Sequence, residues 1–170
     1  MSHFKLEIPQ DLWGSIILNL RKRGQGIKES GAFLLGPIDS KRVQAYICYD
    51  DLDSHSLDTG IIIFDSTGFT RPWDFCRANH MTVLADVHTH PGSGTSQSTT
   101  DKNNPMIVQK GHIALIVPHF AKGNQKDLCG VGMYQYLGDF KWNTIRNNAK
   151  GLKALKKWIA QKLQKIIIIG

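Results

Sequence analysis

The stretch Met81-Thr-Val-Leu-Ala-Asp-Val-His-Thr-His-Pro-Gly-Ser-Gly-Thr-Ser-Gln-Ser-Thr-Thr-Asp101 holds the strongest pattern in the chain. From Met81 to His90 it alternates as a strand does, placing Asp86, His88 and His90 on one face and Val87 and Thr89 on the other. Gly92 to Gln97 reads as a loop. Ser98-Thr-Thr-Asp101 is close to a capping box, with a serine at the N-cap and an acid three residues on, so a short helix over Thr99 to Gln109 is predicted. Histidines one residue apart on a strand project to the same side, and a ten-residue connection can return a carboxylate to a third corner. Three ligands with a fourth position left open is the pattern of a catalytic zinc site. Each part also has a plainer reading: the histidines as hydrogen-bonded strand residues, the Ser98 quartet as a cap. The cap and ligand readings are compatible, because a capped turn holds Asp101 rigidly.

Working outward, Pro9 suits the opening turn of a helix whose apolar positions Leu12, Trp13, Ile16, Ile17 and Leu20 recur at helical spacing up to Arg23 and a stop at Gly24. Glu29 then leads S-G-A-F-L-L-G, and after the turn Pro37-Ile38-Asp39-Ser40 the run R-V-Q-A-Y-I-C-Y completes a hairpin. Asp50 to Gly60 reads as loop, Ile61 to Phe64 as strand and Pro72 to Asn79 as helix. Ile113 to Val117 fits a buried strand, Ala121 to Lys126 a polar excursion and Val131 to Leu137 a last strand. A basic helix over about 148–165 closes the chain, with a stripe of Leu152, Leu155, Ile159, Leu163 and Ile166 among lysines. That stripe suits packing on the sheet, or else a docking surface. No linker divides the chain, so one domain over 1–170 is expected.

Of 170 residues, 41% are hydrophobic and 21% charged, a globular balance rather than a disordered one. Cys48, Cys76 and Cys129 are odd in number and lack C-x-x-C spacing, so neither a disulfide framework nor a second zinc site is expected, and a reducing cytoplasm fits. Cys48 and Cys129 suit small core positions better than nucleophiles. Apolar runs such as Ile16 to Leu20 fall far short of the ~20 residues of a membrane span, and no signal peptide is evident. The formal charge of +7 is uneven: from Phe140 onward stand eight Lys or Arg and no acid. Such a segment attracts acidic proteins, nucleic acid or anionic lipid without choosing among them. Asp86 shares the face of both histidines and suits either orienting one of them or an ordinary salt bridge. His112 and His119 flank a strand with no ligand spacing, and His3, His55 and His80 read as surface or loop residues.

The combination of Glu29 before S-G-A-F-L-L-G, the run H-T-H-P from His88, the ten-residue interval and S-x-x-D from Ser98 to Asp101 resembles the signature of the JAB/JAMM (MPN-type) metallopeptidases. The likeness covers nearly the whole chain, and the signature shows no departure. It implies an α/β (α+β) fold with a mixed, curved sheet flanked by helices and the metal where the histidine strand ends. It further implies one zinc per chain held by His88, His90 and Asp101, with Glu29 as general acid/base and Ser98 as a donor to the oxyanion.

The same resemblance implies hydrolysis of the peptide or isopeptide bond after the C-terminal glycine of a ubiquitin-like protein. The short loops look most like the stand-alone prokaryotic members that accompany E1-like and E2-like proteins, including those of antiphage conjugation operons. Two other readings stay open: a peptidase that processes a sulfur-carrier protein, and a non-catalytic scaffold or nucleic-acid-binding module using the basic C-terminal helix. Trp158 as the sole aromatic among those lysines makes a poor stacking platform for nucleic acid.

Overall fold

The computed structural model describes residues 6–60, 62, 70–123 and 126–145, and the backbone of 166–169. The strand expected at Ile61 to Phe64, apart from Ile62, and the basic helix over about 148–165 lie outside them. The elements run β1 (Leu6–Pro9), α1 (Gln10–Gly24), β2 (Gly31–Pro37), β3 (Ala45–Cys48), α2 (Tyr49–Leu52), α3 (Thr70–Ala78), β4 (Met81–Thr89), α4 (Thr99–Asn103), β5 (Ile113–Val117), β6 (Gly132–Gly138), β7 (Lys141–Thr144) and β8 (Ile166–Ile169). Six strands form one sheet in the order β3-β2-β4-β5-β6-β7. The β4/β5 pair is parallel and its neighbours antiparallel, so the sheet is mixed. The fold is the α/β arrangement of mixed sheet and flanking helices that the sequence led us to expect.

Alternation divides the sheet into two faces. Ala32 and Leu34 of β2, Ala85 and Val87 of β4, and Ile113, Leu115 and Val117 of β5 pack with Trp13, Ile16 and Leu20 of α1 in the main core. On the opposite face Phe33, Leu35, Tyr49, Cys76 of α3, Val83 and Ile107 form a smaller cluster. Asp86 and His88 share that second face, beyond the edge of the apolar cluster. α1 ends at Gly24, followed by Gln25 at φ 51, and its last turn carries Arg21, Lys22 and Arg23, which complement the helix dipole.

Several expectations need correcting. The stretch expected as loop from Asp50 contains the end of a four-residue helix, α2. The helix expected to reach Gln109 stops after Asn103, because Asn104 precedes Pro105 and a residue before proline is pushed out of the helical region. Asn104 has φ −130 and ψ 66. Ile166, counted in the basic helical stripe, instead begins β8, which pairs antiparallel with β1. β1 and β7 have no counterpart among the expected elements.

One turn is conformationally costly. After Pro118, the non-glycine residues His119, Phe120 and Ala121 have φ of 57, 49 and 57. Their backbone is tied to the end of the histidine strand: the His119 N–H donates to the Gly92 carbonyl at 2.9 Å and the Phe120 N–H to the His90 carbonyl at 2.8 Å.

Candidate metal centre

The two histidines owe their place to strand register. β4 pairs with β2 on one side and β5 on the other, Gly31 standing opposite His88 and His88 opposite Ile116. His90 continues the line, its N–H donating to the Val117 carbonyl at 2.8 Å. Asp101 is held differently. It stands in the first turn of α4, where the Ser98 Oγ accepts the Asp101 N–H at 3.1 Å and Asp101 Oδ2 accepts the Ser98 N–H at 2.6 Å. The capping box expected from sequence is therefore complete.

These elements bring three candidate ligand side chains together. His88 Nε2 and His90 Nε2 are 3.1 Å apart; His88 Nε2 lies 3.6 Å from Asp101 Oδ1, and His90 Nε2 lies 3.2 Å from Asp101 Oδ2. Metal bonds of about 2.0–2.1 Å in a tetrahedral site require ligand-to-ligand edges of about 3.3–3.4 Å. The His–His separation and the nearest contacts to the two Asp101 oxygens lie near that value, and one ligand atom from each residue falls within 4.8 Å of the others, so the trio can hold a divalent metal ion. It is the group of this kind found among the described residues. Both histidines are buried, while the Asp101 side chain retains 17% exposure.

Electrostatics point the same way. Burial opposes the charged form of His88, but hydrogen bonding and charge from Asp101 and Asp86 outweigh it and push the imidazole up to about 9. Burial would raise the Asp101 carboxyl, yet His88, His90 and the Ser98 backbone bring it well below the usual carboxylate range. A proton and a metal ion thus compete for one electron-rich pocket.

Glu29 approaches from β2. The Thr89 N–H donates to the Ser30 carbonyl at 2.9 Å, and the Ser30 N–H donates to Thr89 Oγ1 at 3.0 Å. The Ser30 hydroxyl donates to the Leu20 carbonyl at 2.7 Å. Continuing the register places Glu29 opposite His90. Its N–H donates to the Gly60 carbonyl at 2.9 Å. Burial raises the Glu29 carboxyl above its ordinary value, with His88 and His90 pulling it back and a bond to the Ile62 backbone doing the same. This half-buried placement beside both histidines sets it apart from an ordinary surface acid.

Glu29, Asp86, His88, Ser98 and Asp101 line one cavity of about 580 Å³ with apolar walls that include Ile62, Met106 and Trp142. Ser98 Oγ accepts from Asp101, which leaves its own hydrogen available to the cavity. Gln97 also lines it, and its buried Oε1 has no hydrogen-bond partner among the described residues. Sequence reasoning missed this group, as well as Trp142, whose Nε1–H donates to the Lys102 carbonyl at 3.2 Å. It also passed over His112, which contacts Asp86 behind the trio. No spacing marks these residues; the sheet pairing brings them in.

No family model matches the chain. A probable metalloprotease of Sinorhizobium fredii is 34% identical over 65 residues, which is 38% of this chain and 39% of that relative's length. A solution structure from Desulfitobacterium hafniense aligns with a TM-score of 0.56 at 15% identity, covering 81% of this chain and 87% of that one. One from Salinibacter ruber gives 0.51 at 15% identity, covering 84% and 92%. A JAB1/MPN domain protein from Archaeoglobus fulgidus gives 0.47 at 18% identity, covering 83% and 94%. The metalloprotease likeness and the ligand trio agree with the JAB/MPN-type resemblance read from the signature residues.

Proposed function

We propose that this chain is a JAB/MPN-type zinc metallopeptidase that hydrolyses the bond after the C-terminal glycine of a ubiquitin-like protein, free or conjugated. The observation that carries the reading is the set of 3.1, 3.2 and 3.6 Å separations among His88, His90 and Asp101 at a cavity that Glu29 and Ser98 also line. When bound, the ion supplies Lewis acidity and lowers the pKa of a coordinated water from about 15.7 to about 7.

The residues of the chain divide the remaining work. Glu29, its carboxyl raised by burial, takes a proton from the attacking water on its side-chain oxygen and delivers it to the leaving amine. Ser98 directs its hydroxyl hydrogen at the oxygen that becomes negative as the carbonyl is attacked. Asp101 stays ionised and fixed by its two bonds to Ser98. A cavity of about 580 Å³ suits an extended tail rather than a folded body.

The proposal extends to a cytoplasmic setting among E1-like and E2-like partners, in an antiphage conjugation system. Free Cys48, Cys76 and Cys129 suit such a setting, and no helix among the described residues is long and apolar enough to cross a membrane. The test uses purified protein and a ubiquitin-like fusion carrying a diglycine junction. One zinc per chain, chelator-sensitive cleavage and loss of cleavage in Glu29→Ala with fold and zinc retained are expected; undiminished cleavage in that variant rejects the mechanism.

A further inference from the structure

Behind the ligand trio lies a second polar cluster to which the reaction scheme gives no part. Asp86 is 2% exposed and precedes His88 by two residues on the same strand face. The His112 Nε2–H donates to Asp86 Oδ1 at 2.6 Å. The other oxygen, Oδ2, accepts the Tyr49 hydroxyl at 3.4 Å and faces His88 Nδ1 at 3.9 Å. All four side chains are buried. The backbone of His112 is fixed in turn, its N–H donating to the Gln109 carbonyl at 3.0 Å and its carbonyl accepting the Tyr136 N–H at 2.9 Å. Tyr49 reaches the carboxylate because residue 31 is glycine: a Cβ there would stand 2.3 Å from the tyrosine ring and 2.8 Å from the Val87 carbonyl.

A carboxylate removed from water persists only where it is paired and hydrogen-bonded. With Oδ1 held by His112, rotation about the Asp86 side chain is fixed and Oδ2 must face Tyr49 and His88. Negative charge opposite Nδ1 favours the imidazole tautomer protonated there, which leaves the Nε2 lone pair directed at His90 and Asp101. A metal-binding imidazole requires a defined tautomer, set by what its other nitrogen meets.

We propose that His112 is a positioning residue for the metal centre: it locks the Asp86 carboxylate in the one orientation that keeps the His88 proton on Nδ1 and its Nε2 free for the metal. The inference rests on the metallopeptidase reading above. It is tested by zinc competition against a chromophoric chelator, using the full chain as wild type, His112→Met and His112→Gln, with folding checked by circular dichroism. Loss of about 10- to 100-fold in zinc affinity is expected for His112→Met, with most of it restored in His112→Gln, which keeps an N–H near the same point. A purely structural role predicts lower stability with unchanged affinity, so His112→Met that binds zinc as wild type does overturns the proposal. Should that variant not fold, imidazole NMR of the zinc-loaded wild type decides: His88 protonated at Nδ1 and coordinating through Nε2 supports it, and coordination through Nδ1 overturns it. Wild type that takes up no zinc defeats the metallopeptidase reading itself, an outcome distinct from normal zinc uptake by both wild type and His112→Met.

Discussion

Two kinds of scaffold meet at the candidate metal centre. His88 lies near the end of β4 and His90 directly after it, β4 being a central strand paired on both sides and backed by the fully buried Ala85 and Val87. Asp101 comes from α4, five residues long and without a buried residue. The strand holds its ligands by ladder hydrogen bonds and packing shared across the sheet, so their geometry is as stable as the core. The helix holds its ligand by two local bonds to Ser98 and by the Trp142 contact at its far end. Local opening of α4 therefore needs far less free energy than opening of β4. Asp101 is thus the member of the trio carried by the more easily opened element.

The contrast can be broken at several points. The largest change is expected from His90→Ala, which removes a ligand the sheet holds in place: stoichiometric zinc and all cleavage should disappear, by metal analysis and fusion-protein assay. Retained zinc at one per chain would contradict the trio. Next, Leu115→Ala in the core beside β4 should lower unfolding stability by about 2–5 kcal/mol, read by denaturant titration. Zinc affinity of the folded protein should stay near wild type, since the ladder survives; a parallel collapse in affinity would mean that strand and core are not separable.

Ser98→Ala should cost only about 1 kcal/mol of stability but about 10²- to 10³-fold in cleavage rate. Ser98→Asn, which keeps a capping oxygen and lacks the hydroxyl, should recover the stability and not the rate. Full rate in Ser98→Asn would reduce Ser98 to a cap. Smallest, Trp142→Phe deletes the bond to Lys102 on an exposed surface, for about 0.5–1.5 kcal/mol. It should speed hydrogen exchange in α4 while leaving β4 unchanged.

The same contrast decides what the chain reveals as text. β4 was legible because Asp86, His88 and His90 against Val87 and Thr89 form a period of two, which shows even though both faces are buried because those three residues on the histidine face are all polar. The capping box was legible because its bonds span three residues. The end of α4 was misread although Asn104-Pro105 carries the signal, for Thr99 to Gln109 has no apolar period to set against it. His112 was passed over because its partner is reached only through the parallel register that sets Asp86 beside Ala114, a relation no local spacing records. β1 and β7, four residues each, are too short to display alternation. Glu29 stood out only through the signature, and the continuation of the β2/β4 ladder supplies its physical ground.

The turn of His119, Phe120 and Ala121 bears on how this protein can be improved or spoiled. Left-handed backbone costs a residue with a Cβ about 1–2 kcal/mol, and here three such residues stand in a row, two of them gripping the His90–Gly92 backbone. A glycine at position 120 would remove that residue's left-handed cost, yet it would forfeit a half-buried phenyl ring and loosen the unfolded chain. The corner thus accepts uncomfortable backbone in exchange for a fixed hold on the His90 and Gly92 carbonyls.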